Sequence, residues 1–132
     1  MQMNLSTNYA IRIIVELSKR GKQSSKDLAN LLSIPEGYIM KITNELRKTN
    51  IIISKQGTSG GFLLNKEIND ITLYDVIVAM ESTMKINRCL EKDEFCSRCA
   101  TKKCNIRKLH MHIQDQIEYE LKKYTIYELL NQ

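Results

Sequence analysis

The sequence predicts a mainly α protein with one small β-hairpin, built as a winged helix-turn-helix unit followed by a long C-terminal helix. Three observations predict it. Apolar residues recur at helical spacing in consecutive segments before residue 50. A β-branched run, a glycine-bearing turn and a second apolar run follow at 51–64. One apolar stripe then runs from Ile106 to Tyr124, over about twenty residues, with helical steps of three and four.

In the first element, Ala10, Ile13, Ile14 and Leu17 follow the i, i+3, i+4, i+7 pattern of an amphipathic helix. Ser6 or Thr7 is placed to cap its start, and Gly21 ends it behind the basic pair Lys19 and Arg20. Ser24 with Asp27 three residues on approximates a capping box, which opens a short helix through Leu28, Ala29, Leu31 and Leu32.

The stretch LANLLSIPEGYIMKITNEL has the spacing of a helix-turn-helix. Small Ala29 lets two helices cross closely, while Ile34, Ile39 and Ile42 turn toward the core. Pro35 suits the first turn of the second helix, where its missing N–H costs nothing. Glu36, Gly37, Tyr38, Met40, Lys41, Asn44, Arg47 and Lys48 are left outward, on the face such a helix offers to a DNA groove. The bland alternative is a pair of packed helices joined by a tight turn.

The segment IIISKQGTSGGFLL reads as a hairpin directly behind that helix, which is the position of a wing. Gly57, Gly60 and Gly61 supply the backbone freedom of a tight turn and let it approach a phosphate chain closely. Lys55 and Gln56 fall at its tip with Ser59, and complete the candidate DNA contacts.

Charge points the same way. Residues 1–65 carry nine Lys or Arg against four Asp or Glu, and residues 66–132 carry eleven of each, so the whole +5 excess lies in the first half. A basic half on a small chain suits a polyanionic partner.

In the second half, Thr72 and Asp75 make another capping-box start, and Leu73, Val76, Ile77 and Met80 pack a helix against the wing domain. Met80 and Met84 are read as packing residues. The stripe Ile106, Leu109, Ile113, Ile117, Leu121 and Tyr124 belongs to a helix about 30 Å long. Little else in so short a chain is large enough to cover it, so a second copy is expected to, the alternative being a helix folded back on its own domain. Thr125 and Glu128 cap a final turn, TIYELL, placed to clip onto either subunit. The organisation is thus 1–81, a winged helix-turn-helix DNA-binding domain; 82–104, a cysteine-rich loop; and 105–132, a dimerisation helix with its C-terminal clip.

No basic n-region with an apolar run opens the chain, and no apolar stretch nears the roughly 18 residues of a membrane span. A cytoplasmic, reducing setting is expected, in which structural disulfides are rare. Neither a Ser/His/Asp set nor a phosphate loop is present, since GTSGG lacks the Lys-Ser/Thr of a P-loop, so no enzyme and no small-molecule substrate are expected.

All four cysteines fall within CLEKDEFCSRCATKKC, at Cys89, Cys96, Cys99 and Cys104. Four soft thiolates suffice for an iron–sulfur cluster, and equally for a four-cysteine zinc site. A structural zinc usually joins two CxxC knuckles, and only one is present here. Lys92, Arg98, Lys102, Lys103 and Arg107 lie among the thiols and are expected to lower their pKa and offset a cluster's charge. His110 and His112 read as helix-surface residues.

The segments LSTNYAIRIIVELS, SSKDLANLLSIPEGYIMKITNELRKTNII, GTSGGFLL, ITLYDVIVAME and YTIYELL together resemble the Rrf-two (Rrf2) family of bacterial winged-helix regulators. The resemblance spans nearly the whole chain. It implies a homodimer held by the long C-terminal helices, reading palindromic double-stranded DNA through helix and wing. It also implies an iron–sulfur cluster on cysteines of the loop before that helix, with Cys89 and Cys104 as first and last ligands and Cys96 and Cys99 straddling the middle one. One branch of the family uses a histidine three residues after the last cysteine, where this chain has Arg107. Another uses an acidic residue of the partner near position 8, where this chain has Asn8. With four thiolates and neither of those ligands, a 4Fe–4S cluster is favoured over 2Fe–2S, with zinc as the alternative and redox-active thiols without metal as the third reading. Family members often place an arginine in the wing where Gln56 stands, and a glutamate in the recognition helix near Met40.

Overall fold

The computed structural model describes residues 2–132. Helix α1 (Leu5–Arg20) buries Thr7, Ala10, Ile13, Ile14 and Leu17 on one face. Gly21, at φ 72°, stops it with its N–H on the Leu17 carbonyl at 3.0 Å. Neither Ser6 nor Thr7 caps the start. Asn4 occupies the N-cap position, and the cap itself comes from far along the chain. The Glu81 carboxylate accepts the Asn4 N–H at 2.7 Å, the Asn4 side-chain amide at 2.6 Å and the Thr7 hydroxyl at 2.6 Å. An anion at the positive end of a helix satisfies orphan donors and the dipole together.

Helix α2 (Ser25–Leu32) opens on the expected capping box of Ser24 and Asp27. Ser33 then takes the left-handed conformation at φ 54°, and the chain reverses into α3 (Glu36–Lys48). Pro35 stands at the N-cap, one residue before the first turn, where its carbonyl accepts the N–H groups of Tyr38 and Ile39. Ile34, Ile39, Ile42 and Leu46 lie in one core with Leu28 and the inner face of α1.

The wing is an antiparallel pair, β1 (Ile52–Lys55) and β2 (Gly61–Leu64), closed at Lys55 opposite Gly61. Gln23 adds a rung that the sequence pattern does not announce: it exchanges two backbone bonds with Phe62, at 3.1 and 2.8 Å. That approach explains Gly61. A Cβ there would sit 2.6 Å from the Gln23 carbonyl oxygen.

Helix α4 (Leu73–Met80), with its Thr72–Asp75 capping box, buries Val76 and Ile77. The long α5 (Asn105–Lys123) lies across α4, and the short α6 (Ile126–Leu130) starts on the Thr125–Glu128 box. The C-terminal clip closes on its own subunit. Leu73 N–H donates to Tyr124 O at 2.8 Å, Ile126 N–H to Ile71 O at 2.9 Å, and Ile126 is fully buried in the core.

The α5 stripe divides along its length. Ile106, Leu109 and Ile113 are exposed, at 65, 56 and 39 %. Ile117 and Leu121 are half-buried against the chain's own fold, beside Ile77, Met84 and Ile86. Tyr124 lies just past the helix end. So α5 folds back on its own domain at its C-terminal end and leaves an uncovered apolar face nearer the cysteine loop. Among the described residues, no helix is long and apolar enough to cross a membrane.

Candidate nucleic-acid interface and cysteine loop

The core positions of α3 fix what its other face presents. With Ile39, Ile42, Thr43 and Leu46 inward, Tyr38, Met40, Lys41, Asn44, Arg47 and Lys48 are left on the outer surface, all of them exposed. Lys48 is engaged by Glu45 at 2.8 Å, an exposed pair that holds it weakly. Lys41, Arg47 and Lys55 have no carboxylate partner among the described residues, so their charge is available to a polyanion. Lys55, Gln56 and Ser59 are exposed on the wing. Its five-residue tip is tight: the Gly60 N–H bonds the Gly57 carbonyl at 3.0 Å, and a Cβ on Gly60 would meet the Lys55 carbonyl at 2.6 Å. Helix face and wing each present exposed basic side chains, Lys41, Arg47 and Lys48 on the one and Lys55 on the other.

The first turn of α3 is braced from behind. The Tyr9 ring of α1 meets Tyr38 edge-on, with centroids 5.8 Å apart, and the Arg12 guanidinium lies 5.7 Å from the Tyr9 centroid.

The cysteine segment is built differently. No residue from 82 to 104 is buried, and its order comes from short polar turns. Asn87 Oδ1 accepts the Cys89 N–H at 3.1 Å, Arg88 pairs with Asp93 at 2.7 Å, and the Thr83 hydroxyl donates to Glu91. Arg107 is the main tie to α5: its Nε donates to the Cys89 carbonyl at 3.0 Å and its NH2 to Glu94 at 2.9 Å.

All four thiols are free. Cys104 is the N-cap of α5, its Sγ accepting the Arg107 N–H at 3.4 Å. Cys89 Sγ lies 4.0 Å from His110 Nδ1, so the imidazole read as a bare surface group faces the first thiol of the loop. Cys96 sits in a turn where Cys99 takes φ 50° and donates its N–H to the Cys96 carbonyl at 3.0 Å. The backbone N–H groups of Ala100 and Arg98, then that of Cys99, hold the Cys96 thiol below its usual pKa, with the Arg98 charge the least of these causes.

Of the basic residues expected to act on the thiols, Arg107 is taken up by Glu94, and the Arg98 charge favours the Cys96 thiolate less than the backbone N–H groups do. Among the described residues, no three His, Cys, Asp or Glu side chains come together as a metal site. The donor chemistry still fits a thiophilic group, with four free thiols, one favoured as thiolate by amide donors and one at a positive helix end.

The profile of the Rrf2 family, described as an iron-dependent transcriptional regulator, matches residues 3–132, from α1 through α6. The chain belongs to the Rrf2 family. Its Rrf2 relatives include the regulator IscR of Serratia proteamaculans, 26% identical over an aligned length of 134 that covers 99% of this chain and 80% of the relative. CymR of Bacillus subtilis is 26% identical over 132 residues, 98% and 89% of the two lengths. Both matches run through the cysteine segment. A solved structure of CymR, the global cysteine regulator of B. subtilis, superposes with a TM-score of 0.74 at 26% identity, covering 98% of this chain and 95% of that one. This Rrf2 protein is therefore a winged-helix, DNA-binding transcriptional regulator and not an enzyme.

Proposed function

We propose that the protein is a cytoplasmic homodimeric repressor that reads a palindromic operator and adjusts its grip on DNA to the state of an iron–sulfur cluster held by Cys89, Cys96, Cys99 and Cys104. One positional observation carries this reading: the thiols lie in a stretch, 88–104, none of whose residues is buried, and the last of them is itself the N-cap of α5. The exposed face of Ile106, Leu109 and Ile113 suits a second copy. A dimer built on α5 sets the spacing of two recognition helices, about one DNA turn apart, through a helix whose first turn a thiol holds.

Each part of the chain then has its own task. Lys41, Arg47 and Lys55 meet phosphates, while Tyr38, Met40 and Asn44 face base edges and Lys48, Gln56 and Ser59 line the rim. Cys96 is prepared as a thiolate donor by backbone N–H groups, and the Cys104 sulfur accepts the Arg107 N–H at the start of α5. Arg107 occupies the place of a family histidine ligand and ties the Cys89 backbone to α5. When bound, a cluster supplies iron–thiolate links that close the loop and a centre sensitive to iron supply, oxidation and nitric oxide. Four thiolates with no better ligand at Asn8 or Arg107 favour 4Fe–4S over 2Fe–2S.

The test is protein isolated without oxygen. Brown protein with iron and acid-labile sulfide in near-equal amounts supports the reading. Cys89→Ala and Cys104→Ala should each abolish the colour, whereas loss of Cys96 or Cys99 alone is partly tolerated. Colourless protein carrying one zinc per chain would replace the sensor with a structural zinc knuckle.

A further inference from the structure

The segment that joins the winged domain to the cysteine loop, residues 81–87, is fastened at both ends by polar side chains. At its start Glu81 caps α1. Toward its end lies Gln114, 3 % exposed and the one buried residue of α5 among those described. Its amide is fully used. Oε1 accepts the Ile86 N–H at 2.9 Å, while Nε2 donates to the Met84 carbonyl at 3.2 Å and to Glu118 at 2.9 Å. Lys85, between them, reaches Glu118 at 3.0 Å. A side chain on a helix thus offers residues 84 and 86 the donor and acceptor that a neighbouring strand would offer.

Such an anchor is specific because it is buried. If the segment slipped, the amide would be left with a donor and an acceptor unmatched away from water, so partial release is disfavoured against full docking or full undocking. The segment therefore has discrete states. Cys89 follows Ile86 by three residues, so movement of the first thiol pulls directly on the docked stretch. At the other end Glu81 holds the α1 start, and α1 braces the recognition helix through Tyr9 and Tyr38.

We propose that Gln114 is a positioning residue, a latch that docks the 81–87 strap on α5 and so couples the state of the cysteine loop to the DNA-reading face. The idea deepens the regulatory reading above and rests on it. With the loop closed, the strap is docked and α1 keeps its cap. With the loop open, Met84 and Ile86 leave the amide, Glu81 loses its fixed place, and Tyr38 loses its brace. A shift at one thiol becomes a change in the recognition helix because a two-state element lies between them.

The test compares wild type with Gln114→Met, which keeps the bulk and loses both strap bonds, and with Gln114→Glu, which keeps the acceptor for Ile86. Operator affinity is measured for the cluster-loaded and cluster-free protein, together with iron content, dimer mass and hydrogen exchange at Ile86. In Gln114→Met the affinity ratio between the two forms should fall to within about twofold of unity, with iron content and mass unchanged and Ile86 exchange at least about tenfold faster. Gln114→Glu keeps the Ile86 acceptor but turns the Met84 and Glu118 bonds into acceptor–acceptor contacts, so its ratio should fall as well. A Gln114→Met protein with the wild-type ratio, or with a lowered melting temperature as its sole defect, overturns the latch. If wild type takes up no cluster, the sensing reading fails by itself. The latch then stands if Gln114→Met both speeds Ile86 exchange and shifts cluster-free operator affinity, and falls if either is unchanged.

Discussion

Residues 5–80 and residues 82–104 are neighbours in the chain and are held by different physics. In the first region every helix turns an apolar face into one core, where Ile13, Leu28, Ile39, Leu46 and Val76 are fully buried. Capping boxes fix the starts of α2 and α4, and every buried side-chain polar atom described has a partner. In the second region nothing is buried, residues such as Glu94 and Cys99 sit at positive φ, and beyond the Gln114 bonds to residues 84 and 86 the ties are exposed ion pairs and turn hydrogen bonds. Exposed pairs of this kind contribute little each, so the loop is easy to rearrange while the domain beside it is not. A DNA-reading head needs the first property and a responsive thiol loop needs the second.

The sharpest way to break this comparison is to cut into both regions. Ile39→Ala, in the core of α3, should lose about 2–5 kcal/mol of stability by chemical denaturation. Phe95→Ala in the loop, where the ring is 56 % exposed, should stay within about 0.5 kcal/mol. Comparable losses at the two sites would mean that the loop is as tightly packed as the domain.

The next effect is at the wing. Gly61→Ala places a methyl on the Gln23 carbonyl and should cost about 1–3 kcal/mol while prising the wing from the 22–24 segment. DNA affinity should fall with it. A variant with wild-type melting and wild-type binding would contradict the Gln23–Phe62 rung.

Much of the winged region was legible in the sequence because its signals are local. Ser24 with Asp27, Thr72 with Asp75 and Thr125 with Glu128 each announce a helix start over four residues, and all three boxes form. The α1 cap was not legible, since Glu81 reaches Asn4 across 77 residues and no short pattern encodes it. Gln114 was hidden for a related reason. It sits between apolar stripe positions as an ordinary polar helix residue, and its importance appears once residues 84–86 are laid beside it. For the thiols, spacing gave the donor set and not the arrangement, because a loop without buried residues is not positioned by hydrophobic pattern. Arg88 and Arg107 were visible as charges, but their carboxylate partners Asp93 and Glu94 were not.

Removing Lys55 sharpens the comparison on the DNA side. The Lys55→Ala protein should melt as wild type does and bind all sequences more weakly, with the salt dependence of log affinity shallower by about 0.9. An unchanged slope would remove the wing from the interface.

The smallest expected effect is one of pH. Lys85, bonded to the Glu118 carboxylate, holds its pKa below the ordinary value, helped by Gln114 and Lys122. A depressed carboxylate contributes stability above its unfolded value, about 4.3, and loses it as the pH falls through the folded one. Strap protection at Ile86 should therefore be flat at neutral pH and weaken on acidification below about 4.3. Glu118→Gln should remove that pH dependence while keeping an acceptor for Gln114.

The central claim, that the thiol loop sets the grip of the DNA-reading head, is tested most directly by titrating one operator, selected from random duplexes, with the same anaerobic protein before and after cluster removal. The account predicts affinities differing by at least about tenfold between the two forms, with the dimer intact in both. Equal affinities, in a protein shown by iron and sulfide analysis to have carried and then lost its cluster, would contradict it.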